Sequence, residues 1–122
     1  MLWYKKMIYI HEPTPLQCGQ AVIAMIADVS VGDVVALLDN ERETTLKEMR
    51  SALHHYGYTM SERKQFENKK DLPSLCVLSL ETPRCWHWSL FADGIFYDPE
   101  HGVMDDVPLS DRKYYFGVEK AD

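Results

Sequence analysis

The run Gln17-Cys18-Gly19-Gln20-Ala21-Val22-Ile23-Ala24-Met25-Ile26-Ala27 is apolar almost all the way round a helical wheel and rich in helix formers. A helix without a polar face cannot lie on a surface, so this segment predicts a buried central helix on which the rest of the chain must pack. Pro13 and Pro15 ahead of it enforce an extended entry through Thr14 and Leu16, which places Cys18 in the first turn. With 122 residues there is room for one domain, spanning 1–122. Seven Tyr, four Phe and three Trp supply enough burial for a core that does without disulfide or metal staples.

Around that helix the pattern divides in two. Met7-Ile8-Tyr9-Ile10 reads as a short strand. From Ser30, a plausible N-cap, Val31, Val34, Val35 and Leu38 recur at helical spacing; a third helix opens at Thr44 or Thr45, carries Leu46, Met49, Leu53 and Tyr56 on one face, and stops at Gly57. Thr45 with Glu48 matches a capping box. After the charged stretch 61–71, read as a solvated loop, strands follow at Leu75–Leu80 and Trp86–Phe91. Asp93-Gly94 is a type I′ turn signal joining the second of these to Ile95–Asp98 as a hairpin, and Tyr114–Val118 reads as an edge strand. Helices followed by an antiparallel sheet define an α+β fold.

Charge and cysteine usage exclude several roles. The 13 basic and 19 acidic residues give a net charge of −6, which disfavours nucleic acid as a partner. No apolar run approaches the roughly 20 residues needed to cross a bilayer, and the N-terminal ten residues lack the apolar stretch and cleavage site of a signal peptide, so no membrane association is expected. Cys18, Cys76 and Cys85 are odd in number and form no CxxC pair; a reducing, cytoplasmic setting is expected, with no cofactor and no metal.

The chemistry is concentrated at three positions. A cysteine in the first turn of a helix faces the positive end of the helix dipole, which favours the nucleophilic thiolate over the thiol. His87, on a predicted central strand between Trp86 and Trp88, offers a proton acceptor in an apolar setting. Asp98, at the end of the next strand, can orient the imidazole across the hairpin. The simple register about Asp93-Gly94 misses a direct pairing of 87 with 98 by two residues, which a bulge or a shifted register would absorb. If Asp98 only orients, its replacement should leave stability little changed.

The elements Cys18-Gly19-Gln20-Ala21, Thr45-Leu46-Lys47-Glu48-Met49 running to Tyr56-Gly57-Tyr58, His87-Trp88-Ser89-Leu90 and Tyr97-Asp98-Pro99 with Gly102 resemble the papain-like cysteine peptidases, most closely the small bacterial peptidase family C39 and its C39-like relatives. The resemblance spans about residues 8–105. It implies a papain-like arrangement of N-terminal helices on a small antiparallel sheet, with Cys18 as nucleophile, His87 as general base and acid and Asp98 as the orienting residue. It also implies a peptide or protein substrate, with Trp86 and Trp88 as groove residues.

One position departs from the family. Where it carries a glutamine whose amide helps to form the oxyanion hole, this chain has Glu12. An ionised carboxylate accepts hydrogen bonds but donates none, so Gln17 and the Cys18 backbone N–H become the alternative donors. Family members that process double-glycine leaders are joined to a membrane transporter, and none is read in these 122 residues, so leader processing in that context is not the expected role.

Other readings stay open. Cys76, within an apolar strand, reads as core. Cys85 shares a strand face with His87 and is an alternative nucleophile or metal partner, whereas His54-His55 and His101 suggest no metal site. Two functions compete: a cysteine hydrolase cleaving an amide, peptide or isopeptide bond through an acyl-enzyme, and a binding module that captures a peptide, protein partner or small molecule in the same groove. The sequence leaves the oligomeric state open.

Overall fold

Burial sorts the computed structural model, which describes residues 6–121, into three helices laid on one face of a seven-stranded antiparallel sheet. Helix α1 runs Cys18–Ala27 and is buried from Cys18 through Ile26, the consequence of having no polar face. It ends at Asp28, whose left-handed backbone turns its N–H onto the Ala24 carbonyl. Helices α2 (Val31–Leu38) and α3 (Leu46–His55) each begin with a reciprocal capping box, Ser30 with Asp33 and Thr45 with Glu48. Val34, Met49, Ala52 and Leu53 are the residues these two helices bury. No single helix among the described residues is long and apolar enough to cross a membrane.

The strands are β1 (Tyr58–Met60), β2 (Lys64–Gln65), β3 (Leu75–Glu81), β4 (Trp86–Ala92), β5 (Ile95–Asp98), β6 (Gly102–Met104) and β7 (Arg112–Lys120). They are ordered β1-β7-β3-β4-β5-β6, with β2 also paired to β7. Val77, Leu90 and Phe116 face the helices and join Val22, Ile26 and Leu53 in the main core. On the opposite face Leu78, Leu80, Phe91 and Phe96 pack with Phe66 in a second cluster.

Two expectations are corrected. Met7–Ile10 forms no strand; the segment runs beside the end of β5, where the Tyr9 hydroxyl donates to the Asp98 carbonyl (2.5 Å) and the Glu12 N–H to the Pro99 carbonyl (2.9 Å). These isolated bonds anchor it without building a ladder. Tyr114–Val118 is no edge: it lies within β7, between β1 and β3, and pairs on both sides. A strand's place in a sheet is set by long-range pairing, which its local pattern does not encode.

Gly19 marks the closest approach of α1 to the rest of the fold. A Cβ there would lie 2.5 Å from Thr44 Cβ and 2.9 Å from Trp88 Cδ1. Thr44 is buried, and the Trp88 indole donates to its carbonyl at 2.8 Å, so neither neighbour yields easily. Gly19→Ala should therefore lower stability by about 1–3 kcal/mol, read from urea unfolding. An unchanged midpoint would mean that this contact is loose.

Candidate active site

The β4–β5 hairpin turns at Asp93-Gly94, both with positive φ (46° and 89°), as a type I′ turn requires. It pairs Leu90 with Tyr97, Phe91 with Phe96 and Ala92 with Ile95, and no bulge intervenes. One step further this register sets Ser89 opposite Asp98, so that His87, two residues from Ser89 and on the same face, is Asp98's diagonal neighbour. The two-residue mismatch is thus resolved as a diagonal contact. His87 Nε2 lies 3.1 and 3.0 Å from the two Asp98 carboxylate oxygens, and the Ser89 hydroxyl donates to Asp98 Oδ2 at 2.8 Å.

Cys18 comes to the same place from α1. The β4–β5 ladder covers only Leu90–Ala92, which leaves the Trp88 N–H to donate to Cys18 Sγ at 3.4 Å. Cys18 Sγ, a ring nitrogen of His87 and a carboxylate oxygen of Glu12 lie within 4.8 Å of one another, all on buried residues. Because Asp98 occupies Nε2, Nδ1 is the nitrogen left for the thiol. The chain thus brings the Cys18 thiol, the His87 imidazole and the Asp98 carboxylate into one buried cluster.

Asp98 is fully buried and more heavily bonded than an orienting role needs. Besides His87 and Ser89 it accepts from the backbone N–H groups of Glu100 and His101 (3.0 and 2.9 Å), and the His101 ring contacts it at 3.0 Å. Burial would raise its pKa, but these donors, His87 first, hold the carboxyl well below the usual carboxylate range. Burial likewise opposes charge on His87; the hydrogen bond to Asp98 and then Cys18 outweigh it, and His87 is pushed up to about 10. Against the expectation of little stability change at Asp98, its loss would strand several donors that now point at the carboxylate.

The pair sets a stability profile. A raised His87 contributes fully below its unfolded value of about 6.5 and loses that contribution as pH rises through about 10. A lowered Asp98 contributes above its unfolded value of about 3.9 and loses it as pH falls towards the folded value. Melting temperature should therefore peak between about pH 4 and 6.5 and decline on either side. In Asp98→Asn the alkaline decline should flatten; an unaltered slope would show that the pair is not coupled to folding.

Glu12 is 7% exposed, and its Oε1 is buried without a hydrogen-bond partner. Burial raises its pKa, with Glu100 and Asp98 adding to the rise against His87 and His11. No ion pair reaches it among the described residues. Gln17 is placed otherwise: its amide N–H donates to Gln20 Oε1 at 2.9 Å, and Gln20 in turn donates to the Asn40 and Arg42 carbonyls, so the Gln17 amide is turned into the fold rather than towards the thiol. Cys76 is fully buried, and desolvation drives its thiol pKa far up. Cys85 is exposed in the β3–β4 turn.

A groove of about 450 Å³ opens onto Cys18 and His87, and Leu16, Leu46, Trp86 and Trp88 are among its walls. Leu16, Leu46 and Trp86 are all partly solvent-exposed, a concentration of exposed apolar surface at one site. The sequence pattern assigned no part in the site to Ser89, His101 or Thr44, the last of which was read only as a possible start of the third helix. Two-residue spacing from His87 was the available signal for Ser89; Thr44, whose buried hydroxyl lacks a partner beside Cys18, had none.

No family model matches this chain, and no curated protein matches it. Among solved structures, it is similar to a double-glycine-motif protease from an AMS/PCAT transporter, solved in complex with the leader peptide. The TM-score is 0.70 at 18% identity, covering 95% of this chain and 93% of the other. At that identity the likeness shows the fold: three helices and an antiparallel sheet arranged as in that protease domain.

Proposed function

We propose that this chain is a cysteine peptidase-like hydrolase acting on an amide bond of a peptide or protein, and the observation that carries this is the buried clustering of Cys18, His87 and Asp98 at the floor of an apolar groove. In this reading the Cys18 thiolate attacks the carbonyl carbon and the oxyanion forms beside the helix N-terminus, where the Cys18 N–H is a donor. His87 delivers its Nδ1 proton to the leaving amine as the C–N bond breaks, then takes a proton from the water that releases the acyl group. Asp98 holds the imidazole upright through Nε2. A peptide lying across the groove would meet the apolar walls formed by Leu16, Leu46, Trp86 and Trp88. The fold-sharing protease was solved with a leader peptide, which supports a peptide as the occupant.

Glu12 favours a second reading, a groove retained for capture. Its unpartnered oxygen would suit a cationic group on a ligand, and as an anion it opposes a developing oxyanion. Glu12→Gln separates the two. A hydrolase with a weakened hole should gain a donor, and turnover of an activated acyl substrate should rise by about tenfold or more. A binding module should lose affinity for a peptide carrying the cation and gain no rate. An unchanged or lower rate would count against the weakened-hole account.

A further inference from the structure

Glu12 presents a physical difficulty that hydrolysis does not resolve. A buried carboxylate normally accepts hydrogen bonds or holds a metal, yet Glu12 Oε1 has no hydrogen-bond partner, and a Glu12 carboxylate oxygen lies with Cys18 Sγ and a His87 ring nitrogen within 4.8 Å. We propose that Glu12, Cys18 and His87 together form a binding site for one divalent cation of the zinc class, and that filling it withdraws the Cys18 sulfur from chemistry.

The donor set is one thiolate, one imidazole and one carboxylate, which selects borderline-soft ions such as Zn²⁺ or Co²⁺ over Mg²⁺ and Ca²⁺. Three protein donors with the groove on the open side leave a fourth position for water, the pattern of an accessible zinc site. Thiolate and carboxylate together cancel the ion's charge, so the buried cluster becomes neutral. Behind the imidazole, Asp98 receives Nε2 and orients Nδ1 inwards, the arrangement that fixes metal-bound histidines. A tetrahedral zinc holds its donors about 3.5 Å apart, so the three must draw together. Glu12 Oε1 can move without breaking a hydrogen bond. The single proton shared by Cys18 and His87, and that of Glu12 where it carries one, pass to solvent on binding. The other cluster, His87 with Glu100 and His101, is weaker, because its latter two members are exposed and the His101 ring already contacts Asp98.

The test titrates the reduced full chain with Co²⁺, followed by thiolate-to-metal charge-transfer absorption, and then displaces it with Zn²⁺. One Co²⁺ per chain is expected, with no band in Cys18→Ser and an unchanged band in Cys85→Ser. Glu12→Gln should weaken binding by at least about tenfold. In the unsubstituted chain, Zn²⁺ should also block iodoacetamide at Cys18 while Cys85 continues to react. The proposal fails if no saturable band forms, if Cys85→Ser removes it, or if Glu12→Gln binds equally tightly. Should that variant not fold, unaltered Cys18 labelling in excess Zn²⁺ is the overturning result. None of these readouts uses turnover, so an inactive protein would leave them intact.

Discussion

Replacing His87 by alanine should reduce turnover of an acyl substrate by about 10⁶-fold and slow alkylation of Cys18 with it. Among the described residues His87 is the imidazole that joins the thiol to Asp98, and no other described imidazole shares the cluster with Cys18. His101 does not substitute: its ring centroid lies 6.2 Å from that of His87, and it contacts Asp98 from the exposed side. Stability should fall less than rate, because Asp98 keeps Ser89 and two backbone donors. Steady-state kinetics together with the rate of iodoacetamide labelling checks this. Intact turnover and intact thiol reactivity in the variant would remove His87 from the mechanism.

Asp98→Asn should act on both rate and fold. Turnover should drop by about 10⁴-fold, less than for His87→Ala, because the base remains and only its orientation and charge partner are lost. Stability should drop by about 3–5 kcal/mol, because one member of a buried ion pair is removed and an amide nitrogen is turned towards groups that themselves donate. Denaturant midpoints and kinetics on the same preparation separate the two effects. A loss of rate with unchanged stability would restore the purely orienting role that the sequence suggested.

Much of this site is legible in the chain because its determinants are local. The all-apolar face of α1 fixes its burial, Pro13 and Pro15 fix the approach, and the Ser30 and Thr45 boxes fix where α2 and α3 begin. Asp93-Gly94 fixes the hairpin, and hence which residues of β4 and β5 can meet. What local pattern could not supply was lateral order: β7 sits inside the sheet because both its neighbours come from distant parts of the chain. The short apolar run Met7–Ile10 suggested a strand, yet this stretch finds single anchoring bonds instead of a partner strand. Glu12 stood out as a missing amide only through the family resemblance; its burial and its unpartnered oxygen required the fold.

The account stands on Cys18 being the nucleophile, and competitive labelling of the native protein tests that most directly. Iodoacetamide at limiting amount and pH 6–7, with peptide mapping by mass spectrometry, sets Cys18, which is 8% exposed, against the exposed Cys85. Accessibility alone would favour Cys85. Activation by the helix N-terminus and His87 predicts that Cys18 is modified first, with Cys76 unreacted in its strand. Preferential modification of Cys85, with Cys18 untouched, would contradict the assignment.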